Sequence, residues 1–160
     1  MAGGKYRHNQ VSSNILIALG SRLRGKPCQA LNPDAKARIR AASGTYFYYL
    51  DAMVVCEPNS GNAVFQDQPA IVVEVLSDST RRQDSLEKRD NYLTIPSLKA
   101  YRFVEPDEAK VSVYRRRADA ADLDSFEAQL YMGHEAVIPL DEIEVELPLA
   151  EVYVRFKFEA

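Results

Sequence analysis

Three residues in the middle of the chain could share one piece of chemistry. Asp51 stands between TYFYYL and AMVVC, Glu74 interrupts the apolar run AIVVEVLS, and Lys88 follows in SLEKRDNY. An ionised carboxylate taken out of water without a partner costs several kcal/mol, and valine would be the ordinary residue at position 74. Glu74 therefore needs a cation, a hydrogen-bond network or a metal. The preceding apolar strand carries the same anomaly in Asp51. Strands consecutive in sequence are commonly neighbours, and pairing would bring the two carboxylates to one spot. Like charges that close repel, and a divalent cation between them removes the repulsion. Hard oxygen donors, with no histidine or cysteine in the set, favour magnesium or manganese over zinc. Taken singly, either acid can also be read as lying at an exposed edge or paired with an arginine; the two together favour the metal.

Lys88 lies four residues after Asp84, on one helix face. That spacing suits an ordinary ion pair worth about 0.3–0.5 kcal/mol. It equally suits an ammonium that reaches back to the acids, holds an attacking water or steadies charge on a phosphoryl group. His8, followed by Asn9, opens the first helix, where a histidine is commonly a surface residue. His134, in MGHEA, has no visible partner, and Gly3–Gly4 is not a phosphate loop. GxGxxG, P-loop, GxSxG and HExxH patterns are all absent, which argues against nucleotide-dependent, hydrolase-fold and zincin enzymes.

The elements that must position these residues follow from periodicity. Val11, Ile15, Ala18, Leu19 and Leu23 recur as one helix face, stopped by Gly25 and Pro27. Ala35, Ala37 and Ile39 alternate with Lys36, Arg38 and Arg40 as a half-exposed strand. The aromatic and β-branched run over 45–57 predicts one strand, 57–62 is a turn-rich loop, and the apolar strand with Glu74 comes next. Residues 77–96 read as a helix, capped by Ser79 or Thr80 and closed by Pro96. Its apolar stripe is thin (Leu86, Tyr92, Leu93, Ile95), so one side faces something polar. Strands are predicted over 98–105 and 109–117, turning at Pro106–Asp107, then in FEAQLYM, in IEVEL and in the alternating VYVRFKF of 152–158. The order describes an α/β or α+β domain, one mixed sheet flanked by helices.

A length of 160 residues suits a single domain, 1–160, with one core. The net charge of −3 does not suit a protein that coats nucleic acid by bulk electrostatics. Local basic clusters at Arg38/Arg40, Arg81/Arg82 and Arg115/Arg116/Arg117 read first as solvated strand and helix ends. No apolar run approaches a membrane span and the N-terminus lacks a secretory segment. Cys28 and Cys56 lie far apart without a CxxC, so they are read as reduced thiols of a cytoplasmic protein, a disulfide being the lesser alternative.

An Asp at one strand, a Glu in the next and a Lys close behind resemble the PD-(D/E)xK nuclease superfamily. More closely, HNQVSSNILIALGSRLRGKPC, YYLDAMVVCEP, IVVEVLSDSTRRQDSLEKRDNY, IPSLKAYRFVE and VSVYRRR, in order over residues 6–117, resemble the Uma-two family of restriction-type endonucleases. The run VVEVLSDST…D…K…Y followed by IPSL is its specific part. The resemblance implies a restriction-endonuclease-like core and metal-binding roles for Asp51 and Glu74. Lys88 becomes the catalytic lysine, moved from strand to helix, with His8 near the site and Asp84 as a further auxiliary residue. It also implies Mg2+ or Mn2+ as cofactor, DNA as substrate and pairing into a homodimer. Leu50 replaces the motif's proline, and Leu76 stands where the simple motif has lysine. The family's usual N-terminal hairpin, with a further acid, is expected to be missing. The leading expectation is a metal-dependent DNA endonuclease. Its rivals are a non-catalytic binding or assembly module on the same scaffold and a phosphoesterase acting on RNA or a small nucleotide.

Overall fold

Helix α1 (Tyr6–Leu23) buries Val11, Ile15, Ala18, Leu19 and Leu23, the stripe that its periodicity predicts. The structure is a computed structural model that describes residues 5–77, 83–118 and 125–158, with 83–85 as backbone only. After α1 come β1 (Gln29–Leu31), β2 (Lys36–Ala41), β3 (Gly44–Tyr49), β4 (Ala52–Val55) and β5 (Pro69–Val75). Then follow α2 (Gln83–Leu93), β6 (Ala100–Val104), β7 (Lys110–Arg116), β8 (Phe126–Met132), β9 (Val137–Leu140), β10 (Val145–Pro148) and the short α3 (Leu149–Val152). Six strands form the central sheet in the order β1-β4-β5-β6-β7-β8. Only β5 and β6 are parallel, and α2 supplies the crossover that parallel neighbours require. The expected mixed sheet flanked by helices is what the chain adopts.

The sheet separates two apolar layers. On one face Ala52, Val54, Ile71, Val73, Val75 and Val113 pack against α1, β9, β10 and α3. On the other, Met53, Val55, Val72 and Tyr101 pack against Tyr92, Ile95, Leu98 and the inner side of the β2–β3 hairpin. Central strands covered on both faces read as continuous apolar runs rather than alternating ones. That is why every residue of β4, and every residue of β5 but Glu74, is buried.

Four expectations are corrected. The predicted strand over 45–57 is two: β3 pairs with β2 in a hairpin, and β4 pairs with β1 and β5 in the sheet. The chain changes sheets at buried Leu50 and at Asp51, whose carboxylate accepts from the Val75 amide instead of continuing the hairpin. The strand expected over 152–158 is a helical turn and a bend. The amide of Tyr153 donates to the Leu149 carbonyl, the amide of Phe156 donates to the Tyr153 carbonyl, and Arg155 has a φ of 68°. The alternating aromatics instead form a cluster of Tyr153, Phe156 and Phe158, and the Tyr153 hydroxyl is anchored on the Glu105 and Lys110 carbonyls. Strand β9 arises in a stretch without a predicted strand and pairs with β10.

The fourth correction concerns the cysteines. They flank the paired strands β1 and β4, whose register sets Gln29 opposite Val55. One step further out, Cys28 and Cys56 are joined as a disulfide with a Cα–Cα distance of 4.0 Å. Antiparallel pairing thus brings together two thiols separated by 28 residues, a proximity that sequence distance hides. In the predicted helix over 77–96, the described part is α2, where Tyr92 is buried and Leu86 is 51% exposed. The proposed caps Ser79 and Thr80 and the pair Arg81/Arg82 lie outside the described residues. Among the described residues no helix is long and apolar enough to cross a membrane.

Candidate functional site

The β4–β5 register decides where the acids go. Ala52 pairs with Val73 and Met53 with Val72, so one step outward Asp51 stands opposite Glu74. Side chains directly opposite on paired strands share a face of the sheet. The face is the one covered by α2, because Met53 and Val72 lie in that layer. Among the described residues neither acid makes an ion pair with an arginine. The Oδ2 of Asp51 accepts from the Val75 amide at 2.7 Å, and its Oδ1 lies 3.5 Å from Nε2 of His8. The Oε1 of Glu74 accepts from the Tyr92 hydroxyl at 3.1 Å.

Electrostatics ties these groups together. Burial pushes the Glu74 carboxyl up to about 7, and the neighbouring charge of Asp51 adds to the rise. Lys88 opposes it most strongly, followed by the Tyr92 hydrogen bond and His8. Lys88, on α2, also sets its Nζ 5.4 Å from the centre of the Tyr48 ring. The Asp84 side chain, and with it the expected ion pair to Lys88, lies outside the described residues.

His8 is placed by the first turn of α1 against the end of β5. It is half-buried, with Nε2 3.1 Å from the Val75 carbonyl oxygen. Its imidazole is held above the usual histidine range, chiefly by the hydrogen bond to Asp51, with burial pulling the other way. The reading of His8 as a surface residue gives way to a clamp across Asp51 and the strand end.

Tyr92 is the site residue that sequence reasoning missed, having been assigned only to the apolar stripe. It is fully buried, its ring lies 5.3 Å from Tyr48 and 5.1 Å from Tyr101, and Asn91 beside it donates to the Tyr48 hydroxyl at 3.0 Å. Burial, then the charge of Glu74, holds its hydroxyl far above the ordinary tyrosine value, so it acts as a donor. The usable signal was spacing: Tyr92 follows Lys88 by four residues, and such pairs share a helix face.

The donor set suits a hard cation. Among the described residues no group of three or more His, Cys, Asp and Glu converges, which leaves two carboxylates. Magnesium commonly binds through one or two carboxylates while keeping waters and substrate phosphates, and a buried carboxyl raised by its acidic neighbour gains from a cation. The basic clusters are mostly structural. Arg115 donates to Glu142 at 2.6 Å and to the Pro139 carbonyl at 2.6 Å, and Arg116 donates to the Leu98 and Ile95 carbonyls. A shallow cavity of about 580 Å³, lined by Arg22, Lys26, Asp141 and Glu146 among others, lies near the far end of α1 from His8. That end is roughly 20 Å away at 1.5 Å per helical residue, and none of the acids above lines the cavity.

Comparison with known proteins bears on the family and the fold. A family model described as "Uma2: Putative restriction endonuclease" matches residues 1–150. An uncharacterized protein of Synechocystis sp. is 29% identical over 120 residues, covering 74% of this chain and 62% of the relative. A second one from the same organism is 31% identical over 124 residues, 74% of this chain and 68% of the relative. The chain thus spans less than two thirds of the first relative's length. The crystal structure of "a putative nuclease belonging to DUF820" from Anabaena variabilis has a TM-score of 0.68 at 18% identity, covering 95% of this chain and 82% of that one. It shares the fold described above. With the match running through α1, the acid-bearing strands and α2, the chain belongs to the Uma2 family.

Proposed function

We propose that this protein is a divalent-metal-dependent endonuclease that hydrolyses phosphodiester bonds of DNA, its residues 1–160 acting as one domain. The observation that carries the reading is the register that sets Asp51 opposite Glu74, with the Lys88 charge acting on the same carboxyl. In this reading Asp51 and Glu74 hold Mg2+ or Mn2+. Such an ion would lower the pKa of water and polarise a phosphodiester. The Val75 amide and His8 fix the orientation of Asp51, and Tyr92 fixes that of Glu74. Lys88 offsets negative charge where the scissile phosphate would lie.

The test is incubation with linear, supercoiled and single-stranded DNA in magnesium or manganese, for wild type, Asp51→Ala and Lys88→Ala. Loss of cleavage in both variants supports the assignment, whereas cleavage that survives both changes removes it.

One observation favours a second reading, a non-catalytic module on the same scaffold. Both oxygens of Asp51 already face protein groups, the Val75 amide and His8. That reading expects no heat on titrating magnesium into the protein and no effect of Asp51 or Glu74 on DNA binding. A homodimer belongs to the proposal as well. β8 ends the sheet, and its Leu130 and Met132 are exposed, the kind of edge that pairs with another strand. Sedimentation of wild type beside Leu130→Lys reads the association directly. Cytoplasmic location completes the reading. Its test is fractionation of intact cells, with the protein expected in the cytoplasmic fraction; the Cys28–Cys56 disulfide, a bond rare in reducing compartments, is the observation that stands against it.

A further inference from the structure

The β2–β3 hairpin has an inner and an outer face. Ala37 and Ile39 are buried in the core on the inner face, with Tyr46 and Tyr48 packed beside them. On the outer face the register sets Lys36 opposite Tyr49, Arg38 opposite Phe47 and Arg40 opposite Thr45. Cations of one strand therefore alternate with rings of the other. Phe47 is 48% and Tyr49 53% exposed. Lys36 Nζ lies 5.3 Å from the centre of the Phe47 ring and 6.0 Å from that of Tyr49. Arg38 is answered by Asp67 through two hydrogen bonds, at 2.7 and 2.8 Å. Lys36 and Arg40 form no ion pair among the described residues. On a chain of net charge −3, this ribbon is a local surface of rings and positive charge.

We infer that this outer face, through Lys36, Arg40, Phe47 and Tyr49, holds an unpaired stretch of the substrate nucleic acid. Exposed aromatic faces accept stacked bases of any sequence, and cations between them meet the phosphates. Phe47 touches the Phe65 ring edge-on at 5.8 Å, yet Phe47 and Tyr49 each keep about half their surface in water, as a stacking platform requires. The ribbon is also continuous with the candidate site. Tyr49 is two residues from Asp51, at most about 7 Å of chain. On its inner face Tyr48 lies against Tyr92, the partner of Glu74, and beneath Lys88. A strand laid across Tyr49 would arrive next to the two acids. The inference deepens the nuclease reading and rests on it for the identity of the substrate.

The experiment measures binding apart from cleavage. Fluorescence anisotropy of the full chain in EDTA is followed with a labelled single-stranded oligonucleotide and with its duplex. The single strand should bind more tightly. Phe47→Ala and Tyr49→Ala should each weaken it about 5- to 150-fold, the range for losing one stacked base. Lys36→Gln with Arg40→Gln should reduce the slope of log K against log salt by about 1.4, roughly 0.7 for each lost phosphate contact on a single strand. Arg24→Gln with Lys157→Gln, outside the hairpin, should leave the affinity unchanged. Phe47→Leu and Tyr49→Leu keep apolar bulk without a stacking ring, and should lose affinity even if an alanine variant misfolds.

Wild-type affinity in the leucine variants overturns the inference, as does tighter binding of the duplex. So does a shift from dimer to monomer in those variants with affinity intact, because the face would then belong to a second copy. Ring-dependent binding by a protein that cuts nothing would uphold the ribbon while removing the nuclease reading. Cleavage without ring dependence would do the reverse.

Discussion

Glu74 and Arg102 are charged residues in neighbouring central strands, and they differ in their company. Arg102 pairs with Val73 and Val113 in the register of β6, on the α1 face of the sheet. It is fully buried, and none of its three guanidinium nitrogens has a hydrogen-bond partner among the described residues. Burial pushes it down to about 9, with Glu142 pulling it up and Arg115 pushing it further down. It therefore still carries its charge at neutral pH. Glu74 occupies the opposite face, near the end of β5, with a hydroxyl donor, an ammonium charge, a second acid and a histidine around it. A charge in an apolar strand is thus not by itself a site. Convergence of different chemical groups within hydrogen-bond reach at a strand end marks a candidate site; Glu142, Arg115 and Tyr131 act on Arg102 through charge, without a hydrogen bond to it among the described residues.

The largest effect expected is on activity. Glu74→Gln should lower DNA cleavage by two orders of magnitude or more, about 3 kcal/mol of transition-state stabilisation. Arg102→Met should leave the cleavage rate close to wild type. Supercoiled-plasmid nicking rates for the two variants read this, and equal loss in a folded Arg102→Met would erase the distinction.

Stability should respond in the opposite sense. A buried charge without a hydrogen-bonded partner carries a desolvation cost of several kcal/mol, so Arg102→Met should raise the urea midpoint at unchanged slope. A marked fall in that midpoint would mean that the guanidinium has a compensating partner in solution.

A smaller effect separates the two by pH. The folded carboxyl of Glu74 titrates near 7, above its ordinary value of 4.5. Between those values the folded state binds more protons than the unfolded one, so this group's stability contribution falls as pH rises through that window. Glu74→Gln should therefore be more stable than wild type at pH 8, by on the order of 3 kcal/mol without metal, and nearly equal at pH 4. Urea titrations at both values check it, and a gain independent of pH would contradict the raised carboxyl. In the proposed reading, magnesium narrows the gap at pH 8.

The smallest change expected is from Tyr92→Phe. It should cost about 1 kcal/mol, as for a typical hydrogen bond, and move the Glu74 titration to higher pH, because the donor favours the ionised form. Side-chain carboxyl NMR would follow it; an unmoved titration would remove Tyr92 from the site.

Several features were legible because their physics is local. The stripe of α1 needed only helical periodicity, and the runs of β4 and β5 needed only the rule that doubly covered strands are apolar throughout. The anomaly of Asp51 and Glu74 was visible for the same reason, since each broke such a run. The break at Leu50–Asp51 was not visible, because β-propensity is the same on both sides of it. The segment 152–158 misled because its alternation serves an aromatic cluster rather than a pleat.

By itself the sequence determined where apolar surface must be hidden and which two acids would be costly to hide, since both follow from residue type and short-range spacing. Tertiary structure alone decided which distant segments meet. The β4–β5 register set Asp51 opposite Glu74, the β1–β4 pairing joined Cys28 to Cys56, and the packing of α2 laid Tyr92 beneath Glu74 and Lys88 within reach of its charge. The physical reason is that strand register and helix docking minimise the energy of the whole core, and no local window contains that sum.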